Sequence, residues 1–152
     1  MSGESRGYLT MSTPYQGASM FISPLELSDW RHVCAVIVSG HKLNKCGHTL
    51  LHVGESWSWY VHIAGPYNLP KFIPESNYMR YLKENNKREI RRWDIKLPNP
   101  KGARDKLHEL IDKPWFWGGI VNNCTSFVED VVRAGGSNAY QMFNCPIAEP
   151  FA

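Results

Sequence analysis

The chain has 152 residues, 43% of them hydrophobic, and a formal net charge of +3 at pH 7. This length and apolar content predict one domain with a core of its own. The mild positive charge suits an anionic partner, but the chain has no nucleic-acid-binding motif, no phosphate-binding loop and no apolar stretch that could span a membrane.

The first half of the chain is predicted to be rich in strands. Residues 1–20 contain many serines, glycines and threonines, and we expect a loosely ordered segment there, followed by a single domain over residues 21–152. An apolar run at residues 33–39 predicts a central strand. Residues 47–54 and 58–65 are rich in β-branched and aromatic residues around a turn, which predicts a hairpin.

The second half is predicted to add helices to this sheet. Residues 66–86 are interrupted by prolines and contain a possible short helix, and residues 90–97 predict a further strand. Asn99 before Pro100 predicts the start of a helix, because asparagine caps helices and proline suits their first position. The basic run at residues 83–92 is predicted to be a solvated face.

Cys124 begins the last predicted helix. One apolar face follows it at helical spacing, formed by Phe127, Val128, Val131 and Val132. Gly135 and Gly136 end the helix. The thiol therefore belongs to the first turn, where unpaired N–H groups and the helix dipole lower the pKa of a cysteine. This position predicts a nucleophile, with a buried structural cysteine as the alternative.

A cysteine nucleophile needs a histidine base, and no histidine follows Cys124 in the chain. The base must therefore come from an earlier segment, which chemistry allows because such groups are defined by geometry and not by their order. His48 lies on the first strand of the predicted hairpin and His62 on the second. His52 shares the face of His48, so it stays open as an alternative base.

Two segments resemble a known family. Residues 114–119 read Pro-Trp-Phe-Trp-Gly-Gly and residues 123–128 read Asn-Cys-Thr-Ser-Phe-Val. They resemble the Pro-Tyr-x-Trp-Gly-Gly … Asp-Cys-Ser-Gly-Phe-Val signature of NlpC-type cysteine peptidases. The histidine-bearing strands precede the cysteine helix, and their sequence is similar to the circularly permuted papain-like branch, which includes the lecithin retinol acyltransferase group.

The resemblance implies an α+β permuted papain-like fold, in which an antiparallel sheet packs against the helix that carries the cysteine. It implies Cys124 as the nucleophile, His48 as the base and His62 as the residue that orients the base. The residues expected around the oxyanion and the substrate are Trp115, Asn123 and Trp117. The resemblance implies neither a cofactor nor a metal ion.

The implied function is cleavage of an amide bond in bacterial peptidoglycan through a thioester intermediate. A lipid acyl hydrolase or acyltransferase of the lecithin retinol acyltransferase type is the rival enzyme. A non-enzymatic binding module on the same fold is a further alternative. The expected partners are peptidoglycan, a cognate immunity protein and a secretion-system component, and we expect a monomer without stable membrane insertion.

The cysteines bear on the compartment. The chain has four, which show neither a CxxC pair nor a zinc-site spacing: Cys34, Cys46, Cys124 and Cys145. Three remain if one is catalytic, so we expect a chain that folds with reduced cysteines in a cytoplasm. The N-terminus lacks the apolar region of a signal peptide. We therefore expect delivery to a target periplasm by a type VI secretion system, with phage lysis as the other route.

Overall fold

The computed structural model describes residues 13–19, 28–40, 45–64, 69–111, 123–141, 145–148 and 151. Within these ranges the protein is an α+β domain with one six-stranded antiparallel sheet and three helices. The predicted class and the predicted antiparallel sheet are therefore confirmed.

The strands in chain order are β1 (Ala18–Ser19), β2 (Val33–Val38), β3 (His48–Val53), β4 (Trp59–His62), β5 (Lys71–Pro74) and β6 (Glu89–Ile95). Across the sheet they lie in the order β1-β5-β4-β3-β2-β6. The predicted hairpin is confirmed as β3 and β4. Strand β5 was not predicted, because the prolines around it indicated an irregular segment.

The helices are α1 (Glu75–Glu84), α2 (Pro100–Leu110) and α3 (Asn123–Ala134). Helix α2 begins as predicted, since the side chain of Asn99 accepts a hydrogen bond from the Gly102 N–H at 3.3 Å. Helix α1 is longer than the predicted short helix and follows β5 directly. None of the helices in the described ranges has the length and hydrophobicity needed to cross a bilayer.

Helices cover both faces of the sheet. Helices α2 and α3 pack in one core cluster, in which their apolar residues meet Ala35, Leu51, Val53 and Val61 of the central strands. Helix α1 packs in a second cluster on the other face, with Val36, Val38, Leu50 and Tyr60. Because side chains alternate along a strand, His48 and His62 extend toward the α1 face and Thr49 toward the α3 face.

Residues 13–19 fall within the predicted loose segment 1–20 and contact the rest of the domain. Ala18 and Ser19 form a short strand at the sheet edge, where Ala18 pairs with Phe72 of β5. The Gln16 side chain donates to that of Asn85 at 2.5 Å. Residues 1–12 and 20 lie outside the described residues.

A disulfide bond joins Cys46 to Cys145, with the two Cα atoms 4.6 Å apart. It corrects the expectation of reduced cysteines, and Cys34 and Cys124 are the free cysteines. The Ile147 N–H also donates to the Cys46 carbonyl at 3.0 Å, so the tail is fixed just ahead of β3. Spacing alone could not reveal a bond between residues 99 positions apart. Disulfides of this kind persist in oxidising compartments.

Gly47 allows the tail to pack this closely. Its φ is +84°, and a Cβ atom there would lie 2.6 Å from the Val38 carbonyl oxygen and 2.7 Å from the Ile147 side chain. Only glycine fits both the backbone conformation and the space. The tail and the start of β3 therefore form one packed unit beside His48.

Candidate active site

Cys124 lies in the first turn of α3, with 2% of its surface exposed. The predicted apolar face of the helix is fully buried, and its members are Phe127, Val128, Val131 and Val132. Burial of this face fixes the rotation of α3 about its own axis. The thiol is consequently turned inward, toward the sheet.

Two hydrogen bonds attach the start of α3 to β3. The Thr49 N–H donates to the Cys124 sulfur at 3.4 Å, and the hydroxyl groups of Thr49 and Thr125 lie 2.9 Å apart. Both threonine side chains are buried. Backbone N–H groups of a strand lie close to the plane of its sheet, so the sulfur sits beside β3, between the two faces of the sheet.

His48 and His62 form a hydrogen-bonded pair. Nε2 of His48 lies 2.7 Å from Nδ1 of His62, and the ring centroids are 5.0 Å apart in an edge-on arrangement. Nε2 of His62 lies 2.8 Å from the carbonyl oxygen of Gln16. His62 is fully buried, whereas His48 is half-buried. The predicted hydrogen bond between the two rings is therefore confirmed.

The thiol and the histidine pair are both connected to the first two residues of β3. His48 immediately precedes Thr49, and the Cys124 sulfur accepts the Thr49 N–H. No hydrogen bond joins Cys124 to His48 in the part of the chain that the structure describes, so their predicted short contact stays a prediction. Catalytic hydrogen bonds are often long without substrate and shorten in the Michaelis complex.

Burial sets the protonation states in this region. It raises the pKa of Cys124, and the Thr49 N–H and the Thr125 hydroxyl only partly oppose this effect. The pKa of His48 is well below its ordinary value because of burial first and then the charges of His62 and Lys87. Burial also lowers the pKa of His62, to about 4. Burial therefore favours a neutral thiol and two neutral imidazoles at neutral pH.

This protonation state corrects the expectation that the helix N-terminus lowers the pKa of Cys124. A helix terminus stabilises a thiolate by hydrogen bonds and partial charges, but removal of the thiol from water favours the neutral form. At 2% exposure the loss of solvation is the larger effect. Burial thus favours neutral groups over a preformed thiolate–imidazolium pair in the resting site.

Lys87 brings a positive charge to the same region. Its Nζ donates to the Ser39 carbonyl at 2.9 Å, and Ser39 directly follows Val38, the cross-strand partner of His48. Burial lowers the pKa of this half-buried ammonium group, whereas a thiolate at Cys124 would raise it. Lys87 therefore disfavours an imidazolium in the resting site and favours a thiolate. The predicted solvated basic run is only partly solvated.

His52 has a different environment. Its Nε2 lies 3.1 Å from an oxygen of Glu75, and its ring lies 4.6 Å from that of Tyr60. It is four residues along β3 from His48, so the two rings are roughly 13 Å apart along the strand. The thiol is bonded at the His48 end, which favours His48 over His52 as the base.

The remaining predicted site residues are only partly described. Asn123 is the first residue of α3. Trp115 and Trp117 lie outside the described residues. Their predicted contacts with an oxyanion or a substrate stay predictions.

Sequence reasoning missed four groups of the site. Thr49 and Thr125 each directly follow a predicted catalytic residue, and this shared position was an available signal. Lys87 lies within the basic run that was predicted to be a solvated face, so the sequence did not single it out. Gln16 contributes a backbone carbonyl, so its side chain carried no signal at all.

No metal site accompanies the cysteine and the histidines: in the described ranges, no three His, Cys, Asp or Glu side chains lie close enough together to hold an ion. Comparison of the chain with protein-family models, with curated proteins and with solved structures finds no match. The arrangement of the site is therefore the basis for a functional proposal.

Proposed function

We propose that this protein is a cysteine hydrolase that cleaves an amide bond in bacterial peptidoglycan, on a permuted papain-like fold. The proposal rests on two neighbouring contacts. The Cys124 sulfur accepts the Thr49 N–H, and the preceding residue, His48, is hydrogen-bonded to His62. A thiol at a helix N-terminus, a base and an orienting partner are the groups that acyl transfer requires.

In the first step the Cys124 sulfur attacks the amide carbonyl while His48 takes the thiol proton. Because the resting thiol and imidazole are neutral, His48 acts as a general base in the attack itself. The Cys124 N–H lies in the first turn of α3, where it has no partner within the helix, and it supplies one donor to the developing oxyanion. Collapse of the tetrahedral adduct breaks the C–N bond, and His48 returns the proton to the leaving amine.

In the second step water hydrolyses the thioester. His48 takes a proton from the water, the resulting hydroxide adds to the thioester carbonyl, and the C–S bond breaks. The proton passes to the sulfur, which leaves a carboxylic acid and the original thiol. Lys87 favours the thiolate that leaves when the C–S bond breaks, because its ammonium group stabilises negative charge at the sulfur.

The choice of peptidoglycan rests on the Trp-Gly-Gly and Asn-Cys resemblance described above. The Cys46–Cys145 disulfide adds support from the structure, because a periplasm is an oxidising compartment. Delivery by a type VI secretion system, a cognate immunity protein in the producing cell and action as a monomer belong to the same proposal. Expression with a periplasmic signal sequence is expected to lyse a Gram-negative host, and cytoplasmic expression to be tolerated.

The direct test is incubation of the purified protein with peptidoglycan sacculi, followed by mass spectrometry of the released fragments. Wild-type protein is expected to release fragments with a new amine and a new carboxylate, and Cys124→Ala to release none. Cys34→Ala is the matched control, because it removes the other free cysteine and should keep full activity.

The lipid alternative is tested in parallel with vesicles of anionic phospholipid. Intact sacculi together with Cys124-dependent release of fatty acid would replace the peptidoglycan proposal with the acyl hydrolase of the lecithin retinol acyltransferase type. The pairing of two histidines favours this second candidate as much as the first. If neither the sacculi nor the lipids are cleaved, the non-enzymatic binding module is the remaining interpretation.

A further inference from the structure

The N-terminal segment reaches the histidine pair through one backbone atom. The carbonyl oxygen of Gln16 lies 2.8 Å from Nε2 of His62, and β1 continues directly from this point along β5. The contact joins residues 46 positions apart in the chain. Because its partner is a ring nitrogen of His62, it bears directly on the protonation of the histidine pair.

A carbonyl oxygen accepts hydrogen bonds and never donates them, so Nε2 of His62 carries its proton. In the neutral ring, Nδ1 of His62 is then an acceptor. The 2.7 Å hydrogen bond to His48 consequently needs its proton on Nε2 of His48. Nδ1 of His48 is left with a lone pair and with no hydrogen-bond partner among the described residues.

We propose that the Gln16 carbonyl fixes the tautomers of His62 and His48 in series, so that Nδ1 of His48 is the nitrogen that takes the thiol proton. This inference rests on the proposed function for its catalytic meaning. Which ring nitrogens of His48 and His62 carry protons does not depend on the identity of the substrate. The N-terminal segment is then a working part of the site.

Asn85 is the positioning residue for this carbonyl. Its Nδ2 donates to the Tyr15 carbonyl at 2.8 Å, and its Oδ1 accepts from the Gln16 side chain at 2.5 Å. Nδ2 also donates to the Tyr81 carbonyl at the end of α1, at 2.8 Å. One side chain thus ties both residues of the segment to the helix whose Tyr81 ring packs 5.3 Å from that of His62.

Gly17 makes the approach of the segment possible. Its φ is +110°, and a Cβ atom there would lie 2.8 Å from the Phe72 carbonyl oxygen and 2.9 Å from the Ile73 side chain. An alanine at this position is strained in its backbone and collides with β5. Gly17→Ala should therefore move the adjacent Gln16 carbonyl away from His62.

The first measurement uses the wild-type protein alone. Nitrogen-15 chemical shifts of the histidine rings distinguish protonated from unprotonated nitrogens, and His48→Gln and His62→Gln assign the signals. At neutral pH both rings are expected to be protonated at Nε2 and unprotonated at Nδ1. A proton on Nδ1 of His48 overturns the inference, whatever the variants do.

The second measurement compares Asn85→Ala and Gly17→Ala with Asn77→Ala. Asn77 is the matched control. It is a half-buried asparagine like Asn85, lies on α1, and its one hydrogen bond to a side chain among the described residues goes to the Tyr15 hydroxyl, at 3.1 Å. The first two variants are expected to give mixed tautomers and a kcat lower by roughly 10- to 100-fold, the range found for outer partners that orient a histidine ligand. Asn77→Ala should keep the wild-type tautomers.

Unchanged tautomers in both Asn85→Ala and Gly17→Ala would overturn the inference even if activity fell. If a variant does not fold, the nitrogen-15 chemical shifts of the wild-type protein still test the inference. Failure of the proposed function is recognised separately, because it leaves sacculi intact while the ring signals follow the expected pattern. The tautomer measurement needs no substrate, so the two failures are not confused.

Discussion

Thr49 holds the start of α3 through both its backbone and its side chain, since its N–H donates to Cys124 and its hydroxyl meets that of Thr125. The two threonine hydroxyls are fully buried and are each other's partners. The same strand residue therefore links the position of the thiol to the stability of the helix docking.

Replacement of one threonine should cost more than replacement of both. Thr125→Val leaves the Thr49 hydroxyl buried without its partner and is expected to lower the free energy of unfolding by about 1–3 kcal/mol. The double variant Thr49→Val/Thr125→Val should recover part of that loss, because no orphaned hydroxyl remains. Urea unfolding of the four proteins gives the interaction energy. Strict additivity of the two single effects would contradict the pairing.

The reactivity of Cys124 should report a neutral resting thiol. In a Cys34→Ser background, alkylation of Cys124 by iodoacetamide is expected to keep rising with pH beyond the ordinary cysteine pKa of about 8.5. The physical reason is burial, which raises the pKa of this thiol. A rate that reaches a plateau below pH 7 would indicate a thiolate–imidazolium pair and would contradict the general-base step.

Cys34 supplies the internal comparison in the wild-type protein. Burial and the hydrogen bond to Asp94, at 3.1 Å, raise the pKa of Cys34 to about 12. Peptide mapping after alkylation at pH 8 should therefore find Cys34 unmodified. Extensive labelling of Cys34 at pH 8 would contradict its raised pKa.

Buried His62 should make the domain less stable in mild acid. Its folded pKa is about 4, below the value of about 6.5 in an unfolded chain, so the unfolded state gains the proton first as the pH falls. The stabilisation is complete above pH 6.5 and is lost progressively down to pH 4, by roughly 3 kcal/mol. The hydrogen bond to the Gln16 carbonyl opposes burial, whereas the charges of Lys87 and Lys71 act in the same direction as burial.

Chemical unfolding at several pH values measures this effect. His62→Gln is the control, because glutamine can still donate to the Gln16 carbonyl but does not titrate. The difference in free energy of unfolding between wild type and His62→Gln should shrink between pH 6.5 and pH 4. A constant difference would contradict a lowered pKa of His62 in the folded protein.

The disulfide should be detectable by a thiol count. Two thiols are expected in the denatured, unreduced protein and four after reduction, since Cys34 and Cys124 are the free cysteines. Cys46→Ser or Cys145→Ser should lower the free energy of unfolding by about 2–5 kcal/mol. Cys34→Ser serves as the control, with one thiol fewer and little change in stability. Four thiols before reduction would contradict the bond.

Much of the fold could be predicted from local pattern. The hairpin of β3 and β4, the cap of α2 and the buried face of α3 all follow from spacing within one element. Strand β5 was not predicted, because it is defined by its pairing with β4 and because Pro74 at its end indicated a break. Pairing of strands is a non-local property that no short window contains.

The candidate site also combines residues that could be predicted from the sequence with contacts that could not. Cys124, His48 and His62 are conspicuous because their side chains carry the chemistry. The pKa of Cys124 was predicted in the wrong direction, because the helix terminus is visible in sequence whereas the extent of burial is not. The Gln16 carbonyl and the bond between Cys46 and Cys145 depend on the path of the whole chain.

The position of the disulfide has a consequence for the way the protein responds to proteolysis. The closed loop from Cys46 to Cys145 contains both histidines of the pair and the cysteine of the site. One cut in any connecting segment inside this loop leaves a single covalent molecule, in which β3, β4 and α3 remain tethered. Two cuts are needed before any of the three can diffuse away, so nicked protein can keep its working parts together.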